Sequence, residues 1–301
     1  MTLFADKTIK SKRTPRVVAI VGPTASGKTE FSIDYALSNN GEIISADSRL
    51  VYKGFNIACA KPDKEEMKDV PHHMIDIVEP YEEYSAGLYA KEARKIIYDI
   101  LQRGKLPIIV GGTGLYFRLL LENYDLPDAE PDFENRKILN QMTSDKLYEH
   151  LKQLDEAAAQ IIDPEDKKKL IRAIEIIETT GKPLAQSRGI KSEEEFSVEW
   201  IGLNYPREEL YNRINKRVDL MLQKGMLDET KHLLKKYGRI QNITSTIGYQ
   251  EMLMYLDGVL TLDEALDKLK QNSRRYAKRQ LTWFRKNDKI KWNVYPEILG
   301  K

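Results

Sequence analysis

Eight residues that follow the first apolar run of the chain have the types and spacing of a phosphate-binding loop. The apolar run 17–21 leads into the sequence GPTASGKT, and a helical pattern begins directly after it. Glycine permits a tight turn, so that successive main-chain N–H groups converge on phosphate oxygens at a helix N-terminus. The lysine adds a positive charge, and the threonine hydroxyl can ligate Mg²⁺. The pattern predicts polyphosphate binding by Gly22, Pro23, Thr24, Ala25, Ser26, Gly27, Lys28 and Thr29, with Thr29 on the metal ion.

Two further polar residues follow predicted strands. Asp47 ends the stretch 42–48, and Thr113 lies in the glycine-rich segment 111–114. A carboxylate beside a phosphate loop can ligate Mg²⁺, act as a general base, or only cap the following turn. The glycines around Thr113 permit close approach of the backbone to a ligand, but an ordinary strand-ending turn has the same composition. Spacing alone leaves these alternatives open.

A strongly basic segment lies near the C-terminus. Residues 271–291 carry a net charge of +7 and the remainder of the chain sums to −5, although the whole chain has only +2. Tyr276, Trp283 and Phe284 interleave with the cations, which is typical of a surface that binds a nucleic-acid backbone. A solvated helix face is the usual explanation of a charge run. A second basic cluster at 167–172 makes the two explanations about equal. The candidate contacts in the segment are Arg274, Arg275, Lys278 and Arg279.

The elements that would position these residues alternate between strands and helices. Buried-strand patterns are predicted at 17–21, 42–48, 73–78, 107–112, 197–204 and 290–295. Helical patterns are predicted at 30–37, 86–102, 115–122, 208–224, 228–236, 246–255 and 262–285, with Ser85 as the N-cap of the second. The alternation predicts an α/β fold, in which a mostly parallel sheet like that of P-loop NTPases is flanked by helices. Ligands of such sheets bind outside the carboxyl ends of the strands, where the loop, Asp47 and Thr113 would meet.

Strand patterns are absent between 123 and 195, where charged helical periods predict a helical insertion that could act as a lid. The catalytic core would then comprise 1–122 and 196–301, with the basic helices at its C-terminal end.

Composition indicates a globular protein of the cytoplasm. Of the 301 residues, 41% are hydrophobic and 31% charged, which is not the composition of a disordered chain. The single cysteine, Cys59, excludes an internal disulfide framework and suits a reducing compartment. No run approaches 18 apolar residues, and residues 1–15 lack the apolar core of a signal peptide. We expect no membrane association and a monomeric state.

Eight blocks of the sequence stand in the order found in tRNA dimethylallyltransferases, and the chain resembles that family over nearly its whole length. The blocks are GPTASGKT at 22–29, D-S-x-x-x-Y-K-G at 47–54, AKP at 60–62, HHMID at 72–76, VGGTGLY at 110–116, R-x-x-x-R at 213–217, IGYQE at 247–251 and YAKRQLTWFR at 276–285. The family transfers a dimethylallyl group from dimethylallyl diphosphate to N6 of the adenosine 3′ of the anticodon. The sequence departs from the family at Ala58 and Cys59, where Gly-Thr is common, and at Leu50, where many members have Gln.

The resemblance implies a role for each matching residue. Asp47 would be the general base, Thr113 would approach the transferring group, and Arg217 with Arg213 would stabilise the leaving diphosphate. The phosphate loop would hold the diphosphate, with Mg²⁺ on Thr29. The anticodon stem-loop of tRNA would contact Asp47, Ser48, Arg49, Leu50, Arg136, Lys168, Lys169, Arg172, Gly248 and Gln250, besides the basic helix near the C-terminus.

Other functions use some of the same residues. In a P-loop kinase of small molecules, Asp47 would be base or metal ligand and the arginines would contact a transferred phosphoryl group. An adenylate isopentenyltransferase would perform the same chemistry on free AMP. A non-catalytic RNA-binding module would need neither Lys28 nor Asp47. The basic segment 271–291 and the helical insertion favour tRNA as the acceptor.

Overall fold

The computed structural model describes residues 14–122, 124–125, 132–187, 189–190 and 194–294. By its contacts the chain divides into two compact units. The smaller unit is Glu122–Glu194, and the larger one comprises the described residues before and after it. The predicted insertion, 123–195, differs from the smaller unit by one residue at each end.

The larger unit is built around a parallel sheet of six strands. The strands of the chain are β1 (Arg16–Val21), β2 (Gly41–Ala46), β3 (His72–His73), β4 (Leu106–Gly111), β5 (Tyr124–Asp125), β6 (Gly189–Ile190), β7 (Ser197–Leu203) and β8 (Lys291–Asn293). The large sheet has the order β3-β2-β4-β1-β7-β8, and all its neighbouring pairs are parallel. The central strands are apolar because both faces of the sheet are covered, and five of the six residues of β1 are buried. The predicted α/β fold is confirmed.

The helices of the larger unit cover the sheet and continue beyond it. They are α1 (Lys28–Ser38), α2 (Lys64–Met67), α3 (Ala86–Gln102) and α4 (Gly114–Leu121), and, after the smaller unit, α9 (Arg207–Gln223), α10 (Met226–Tyr237), α11 (Gln241–Thr244), α12 (Tyr249–Leu256) and α13 (Leu262–Phe284). The Ser85 side chain accepts a hydrogen bond from the N–H of Leu88 and caps α3, as predicted. No helix among the described residues has the length and apolarity needed to cross a membrane.

The prediction of a strand over 73–78 is wrong. β3 ends at His73 because Met74 and Asp76 have positive φ angles of 63° and 55°, which a strand cannot accommodate. The segment turns instead towards the chain that follows Asp47, where the N–H groups of Ile77 and Val78 both donate to the carbonyl of Val51. The predicted helix 246–255 is shorter than expected and begins at Tyr249, since Gly248 has φ 104°. Residue 295 of the last predicted strand lies outside the described residues.

The smaller unit is helical and has a core of its own. Its helices are α5 (Phe133–Leu139), α6 (Ser144–Leu154), α7 (Glu156–Ile161) and α8 (Lys167–Thr180). Leu147, Leu151, Leu170 and Ile174 are fully buried in its apolar cluster. β5 and β6 pair antiparallel and bring together its two ends.

Candidate functional site

The phosphate loop makes a close turn between β1 and α1. A Cβ atom on Gly22 would lie 2.3 Å from the carbonyl oxygen of Leu203 in β7, so only glycine fits there. Ala25 and Gly27 adopt left-handed conformations with φ 64° and 83°. No side chain caps α1, so its first N–H groups remain open to an anion. Lys28 Nζ donates to the carbonyl of Pro23 at 2.6 Å, which holds the ammonium over the loop.

Two arginines of α9 face this loop. Arg213 Nε donates to the carbonyl of Ala25 at 3.0 Å, and its guanidinium lies 4.4 Å from the ring centroid of Tyr205. One turn later, a terminal nitrogen of Arg217 donates to Thr24 Oγ1 at 3.0 Å. The structure therefore brings the predicted arginine pair to the phosphate loop, although the bonded residues are 188 and 193 positions apart in the sequence.

The cations are poorly solvated, and this changes their acidity. Burial, together with the positive charge of Arg217, lowers the pKa of Lys28 to about 7, although the carboxylate of Asp47 opposes the shift. Burial also lowers the pKa of Arg217. An anion that entered the site would favour the charged form of both side chains. The positive charges near the loop are therefore not fully compensated by negative ones.

Asp47 and Thr113 meet at the carboxyl ends of β2 and β4. Asp47 Oδ1 accepts a hydrogen bond from the N–H of Arg49 at 2.8 Å, which is the turn-capping bond that spacing allowed. Thr113 Oγ1 accepts one from the N–H of Ser48 at 3.0 Å, and the N–H of Thr113 donates to the carbonyl of Ala46. The cap uses one carboxylate oxygen of Asp47, so capping and a chemical role are compatible.

A cavity of about 530 Å³ lies at this edge of the sheet. The predicted residues on its wall are Thr24, Lys28, Thr29, Asp47, Ser48, Arg49, Leu50, Arg217, Gln250 and Arg279. The phosphate loop and the Asp47 carboxylate are therefore at one cavity. Outside its described lining are Thr113, Gly248, Arg274, Arg275 and Lys278.

A second and smaller cavity, of about 370 Å³, lies on the α9 side of the loop. Lys28, Thr29 and Arg217 line both cavities, while Arg213 lines only the second one. Of the other loop residues, Ala25, Ser26 and Gly27 line only the second cavity, and Gly22 and Pro23 are in neither lining. The phosphate loop is thus accessible from two sides.

Two carboxylates that sequence reasoning missed, one half-buried and one fully buried, hold the wall of the main cavity. Glu229 of α10 accepts hydrogen bonds from the N–H groups of residues 56–58 and from the hydroxyl of Tyr249. Glu251 is fully buried and accepts from the N–H of Gly248 at 2.7 Å and from the side-chain amide of Asn272 at 2.7 Å. Glu251 belongs to the IGYQE block, which was the only sequence signal for it; Glu229 had none.

The sequence departures from the family pattern lie on the same wall. Leu50, Ala58 and Cys59 line the main cavity. Burial raises the pKa of the Cys59 thiol, so the thiol is protonated at neutral pH and relatively unreactive. A Cβ atom on Gly248 would lie 2.8 Å from the Ala58 Cβ, which shows how closely the two segments pack.

The predicted cations of α13 differ in their surroundings. Arg275, Lys278 and Arg279 are exposed, whereas Arg274 is half-buried. Arg274 donates to Asn215 of α9 at 2.7 Å. The side of α13 that faces the core carries Ala277 and Phe284, both buried. The helix therefore has an apolar inner face and a basic outer face. A surface that binds nucleic acid and a solvated helix face would both have this arrangement.

The predicted cations of the smaller unit surround one buried carboxylate. Glu175 is fully buried and accepts from Arg136 at 2.9 Å and from Arg172 at 2.5 Å, as well as from the N–H of Asp132. These arginines are therefore held in fixed orientations. Lys168 and Lys169 are exposed, and Lys169 pairs with Asp166 at 2.7 Å.

Comparison with protein families gives one match over most of the chain. The model of the IPP transferase family matches residues 50–287. A tRNA dimethylallyltransferase of Anoxybacillus flavithermus is 47% identical over 278 residues, which cover 92% of this chain and 89% of that protein.

Solved structures of similar proteins have the same fold. A tRNA isopentenylpyrophosphate transferase from Staphylococcus epidermidis is 42% identical, with a TM-score of 0.68 over 93% of this chain and 92% of that one. A eukaryotic dimethylallyltransferase described as acting on tRNA is 32% identical, with a TM-score of 0.80 over 90% of this chain and 70% of that one.

Proposed function

The chain belongs to the IPP transferase family, and we propose that it transfers a dimethylallyl group from dimethylallyl diphosphate to tRNA. The acceptor is N6 of the adenosine 3′ of the anticodon, and diphosphate is released. The observation that carries this proposal is the cavity whose lining includes Lys28, Arg217 and Asp47. It provides for an anionic leaving group and for a proton acceptor in one cavity.

The reaction follows from the positions of these groups. The N6 nitrogen attacks the first carbon of the dimethylallyl group, and the bond from that carbon to the diphosphate oxygen breaks. Negative charge then accumulates on the diphosphate, where Lys28, Arg217 and the open N–H groups of α1 stabilise it. The proton lost by N6 passes to the carboxylate of Asp47. The phosphate loop therefore holds a leaving group and transfers no phosphoryl group.

Positioning supplies much of the rate because an aromatic amine is a weak nucleophile. The adenine must leave its stack to enter the cavity, which is easiest for a base of an anticodon loop. Thr113 contributes by fixing the chain beside Asp47, since its hydroxyl accepts the N–H of Ser48. Arg49 at the cavity wall accounts for part of the attraction to the tRNA backbone.

The residues fit a divalent cation that is bound mainly by the diphosphate. No cluster of three or more His, Cys, Asp or Glu side chains suited to a metal is found among the described residues. Mg²⁺ usually retains several waters and takes one or two protein ligands beside substrate phosphates. Thr29 would be its protein ligand, and the ion would neutralise charge on the diphosphate.

The candidate tRNA contacts are exposed cations, and each of the two units carries its own set. Arg275, Lys278 and Arg279 are exposed and available to phosphates, as is Lys168. Lys169 is also exposed and pairs with Asp166. Such contacts determine affinity and register, whereas recognition of the adenosine belongs to the cavity. We expect the protein to act as a monomer in the cytoplasm.

The test is incubation with labelled dimethylallyl diphosphate and bulk tRNA, followed by nucleoside analysis. Prenylated adenosine at the position 3′ of the anticodon is the expected product, and Asp47→Asn is the matched inactive variant. Label incorporated into free AMP instead of tRNA would identify an adenylate isopentenyltransferase. ADP formation from ATP, with no use of the prenyl donor, would identify a kinase.

A further inference from the structure

Gln280 of α13 connects the basic helix to the phosphate loop. Its side chain is only 6% exposed, and both ends of its amide are hydrogen-bonded. Oε1 accepts from the N–H of Thr24 at 2.8 Å, and Nε2 donates to the carbonyl of Gly112 at 3.1 Å. One side chain therefore joins the segments that follow β1 and β4.

The Gln280 amide packs closely against Gly112. A Cβ atom on Gly112 would lie 2.0 Å from Gln280 Nε2, so the glycine creates the space that the amide occupies. One turn earlier on α13, Tyr276 lies beside Thr113. Two successive turns of α13 therefore lie against the loop after β4. Of these two side chains, Gln280 is the one that is hydrogen-bonded to the phosphate loop.

Thr24, which Gln280 holds by its main chain, also contacts a cation of the site through its side chain. The hydroxyl of the same threonine accepts from Arg217 at 3.0 Å. A displacement of the Thr24 main chain would therefore move the acceptor that orients the Arg217 guanidinium. It would also deform the loop on which Lys28 is held through the carbonyl of Pro23, the residue before Thr24.

We propose that Gln280 is a positioning residue, which holds the phosphate loop and Arg217 in the arrangement that receives the diphosphate. The proposal rests on the proposed function, because the diphosphate is that of the prenyl donor. Gln280 lines the main cavity, but both ends of its amide are hydrogen-bonded to main-chain groups, so it acts through Thr24. The helix that carries the candidate tRNA-binding cations is consequently the helix that shapes the donor site.

A role in packing alone would have a different signature. Loss of a buried hydrogen-bonded amide that only fills the core lowers the free energy of unfolding and leaves ligand affinity in the folded protein unchanged. Loss of a positioning residue weakens diphosphate binding even at temperatures where the variant is fully folded. The affinity for tRNA, which depends on the outer face of α13, is unchanged.

The experiment measures the binding of inorganic diphosphate with Mg²⁺ to the full chain by titration calorimetry. Gln280→Met keeps the length of the side chain and removes both hydrogen bonds, and we expect a loss of about five- to tenfold in diphosphate affinity. kcat/KM for the prenyl donor falls in parallel, while the dissociation constant for tRNA stays that of the wild type. Thr282→Ala, which removes a hydroxyl on the same helix, is the matched control and leaves all these values unchanged.

Gln280→Glu provides a test that does not depend on the stability of the methionine variant. A protonated carboxyl group can accept from Thr24 and donate to Gly112 as the amide does, whereas a carboxylate repels the Gly112 carbonyl. Diphosphate affinity relative to wild type at each pH should therefore rise as the pH falls. A glutamate variant whose relative affinity is independent of pH overturns the proposal, as does a folded Gln280→Met with wild-type diphosphate affinity. Failure of the proposed function would be seen separately, as diphosphate binding by the wild type without prenyl transfer to tRNA.

Discussion

In the unliganded protein, the surroundings of Lys28 disfavour the charged form of its side chain. The ammonium is held at the Pro23 carbonyl beside Arg217, and the side chain is half-buried. Its pKa of about 7 means that a large fraction of the unliganded protein carries a neutral lysine at physiological pH. Diphosphate brings several negative charges to the same place and must raise that pKa. Binding is therefore coupled to proton uptake.

The coupling has a definite sign. Below pH 7 the lysine is already charged, so its titration contributes no pH dependence to binding. Above pH 7 a proton must be taken up, and the affinity for diphosphate should fall by up to about tenfold per pH unit. Calorimetry at pH 8 in buffers of different ionisation enthalpy measures the uptake. Lys28→Met removes this component, and equal proton uptake by the two proteins would contradict the assignment.

Asp47 is predicted to act on the chemical step and not on tRNA affinity. Asp47→Asn keeps the turn-capping oxygen that accepts from Arg49 but removes the proton acceptor. We expect single-turnover prenyl transfer to slow by about 10²- to 10⁴-fold, with tRNA binding within a factor of two or so of wild type. Near-normal transfer by this variant would show that another group accepts the N6 proton.

The residues that sequence could predict are those whose function is encoded locally. The phosphate loop is contiguous, so its spacing alone predicts it. Asp47 and Thr113 follow recognisable strands, but spacing leaves their roles open, and only the resemblance to the family implies them. Glu229 and Gln280 act through partners 172 and 256 positions away, as their hydrogen bonds to Ile57 and Thr24 show. Glu229 has no local signature, because a half-buried glutamate resembles any polar helix residue until the tertiary contacts are known. The only sequence signal for Gln280 is its place in the block YAKRQLTWFR at 276–285.

At the scale of elements, the sequence predicted the buried strands and the capped helix α3 because each has a periodic signal of its own. It failed at β3, where an apolar stretch is diverted by the positive φ angles of Met74 and Asp76. No residue type there demands a left-handed conformation. The turn is imposed by pairing with the segment after Asp47, which is a tertiary effect. The error therefore falls beside the site.

α13 is the element whose two faces can be separated by mutation. Its inner face carries Gln280 and the buried residues, and its outer face carries Arg275 and Lys278, which are exposed. The double variant Arg275→Glu, Lys278→Glu should weaken tRNA binding and reduce the slope of log Kd against log salt by about 1 for each phosphate that the helix no longer binds. Filter binding at several salt concentrations gives the slope, and diphosphate affinity should not change.

Lys235→Glu on α10 is the matched control, since it also reverses a cation on the surface of a helix. Its effect on the salt slope should be small. Equal slopes for wild type and the double variant would show that the outer face of α13 is a solvated surface that does not bind tRNA phosphates.

At the scale of the whole molecule, the smaller unit has the features of an insertion that the larger unit does not need for folding. It has its own apolar core, and its buried ion cluster at Glu175 is satisfied by Arg136 and Arg172 from within the unit. In the larger unit, the chain leaves α4 and returns to β7 at neighbouring points. Arg94 of α3 connects them, because it donates to the carbonyl of Leu119 at 3.4 Å and to Glu195 at 2.8 Å.

This arrangement predicts that residues 122–194 can be replaced by a short glycine-serine linker without loss of the core fold. The deletion variant should bind diphosphate like the wild type, because the phosphate loop, Arg217 and Gln280 all lie in the larger unit. It should bind tRNA more weakly, since Lys168 and Lys169 are removed. The reversal Lys168→Glu, Lys169→Glu in the full chain separates loss of these charges from loss of the unit. Wild-type tRNA affinity in the deletion variant would contradict a role of the smaller unit in tRNA binding. Loss of diphosphate binding would show that the core depends on the insertion.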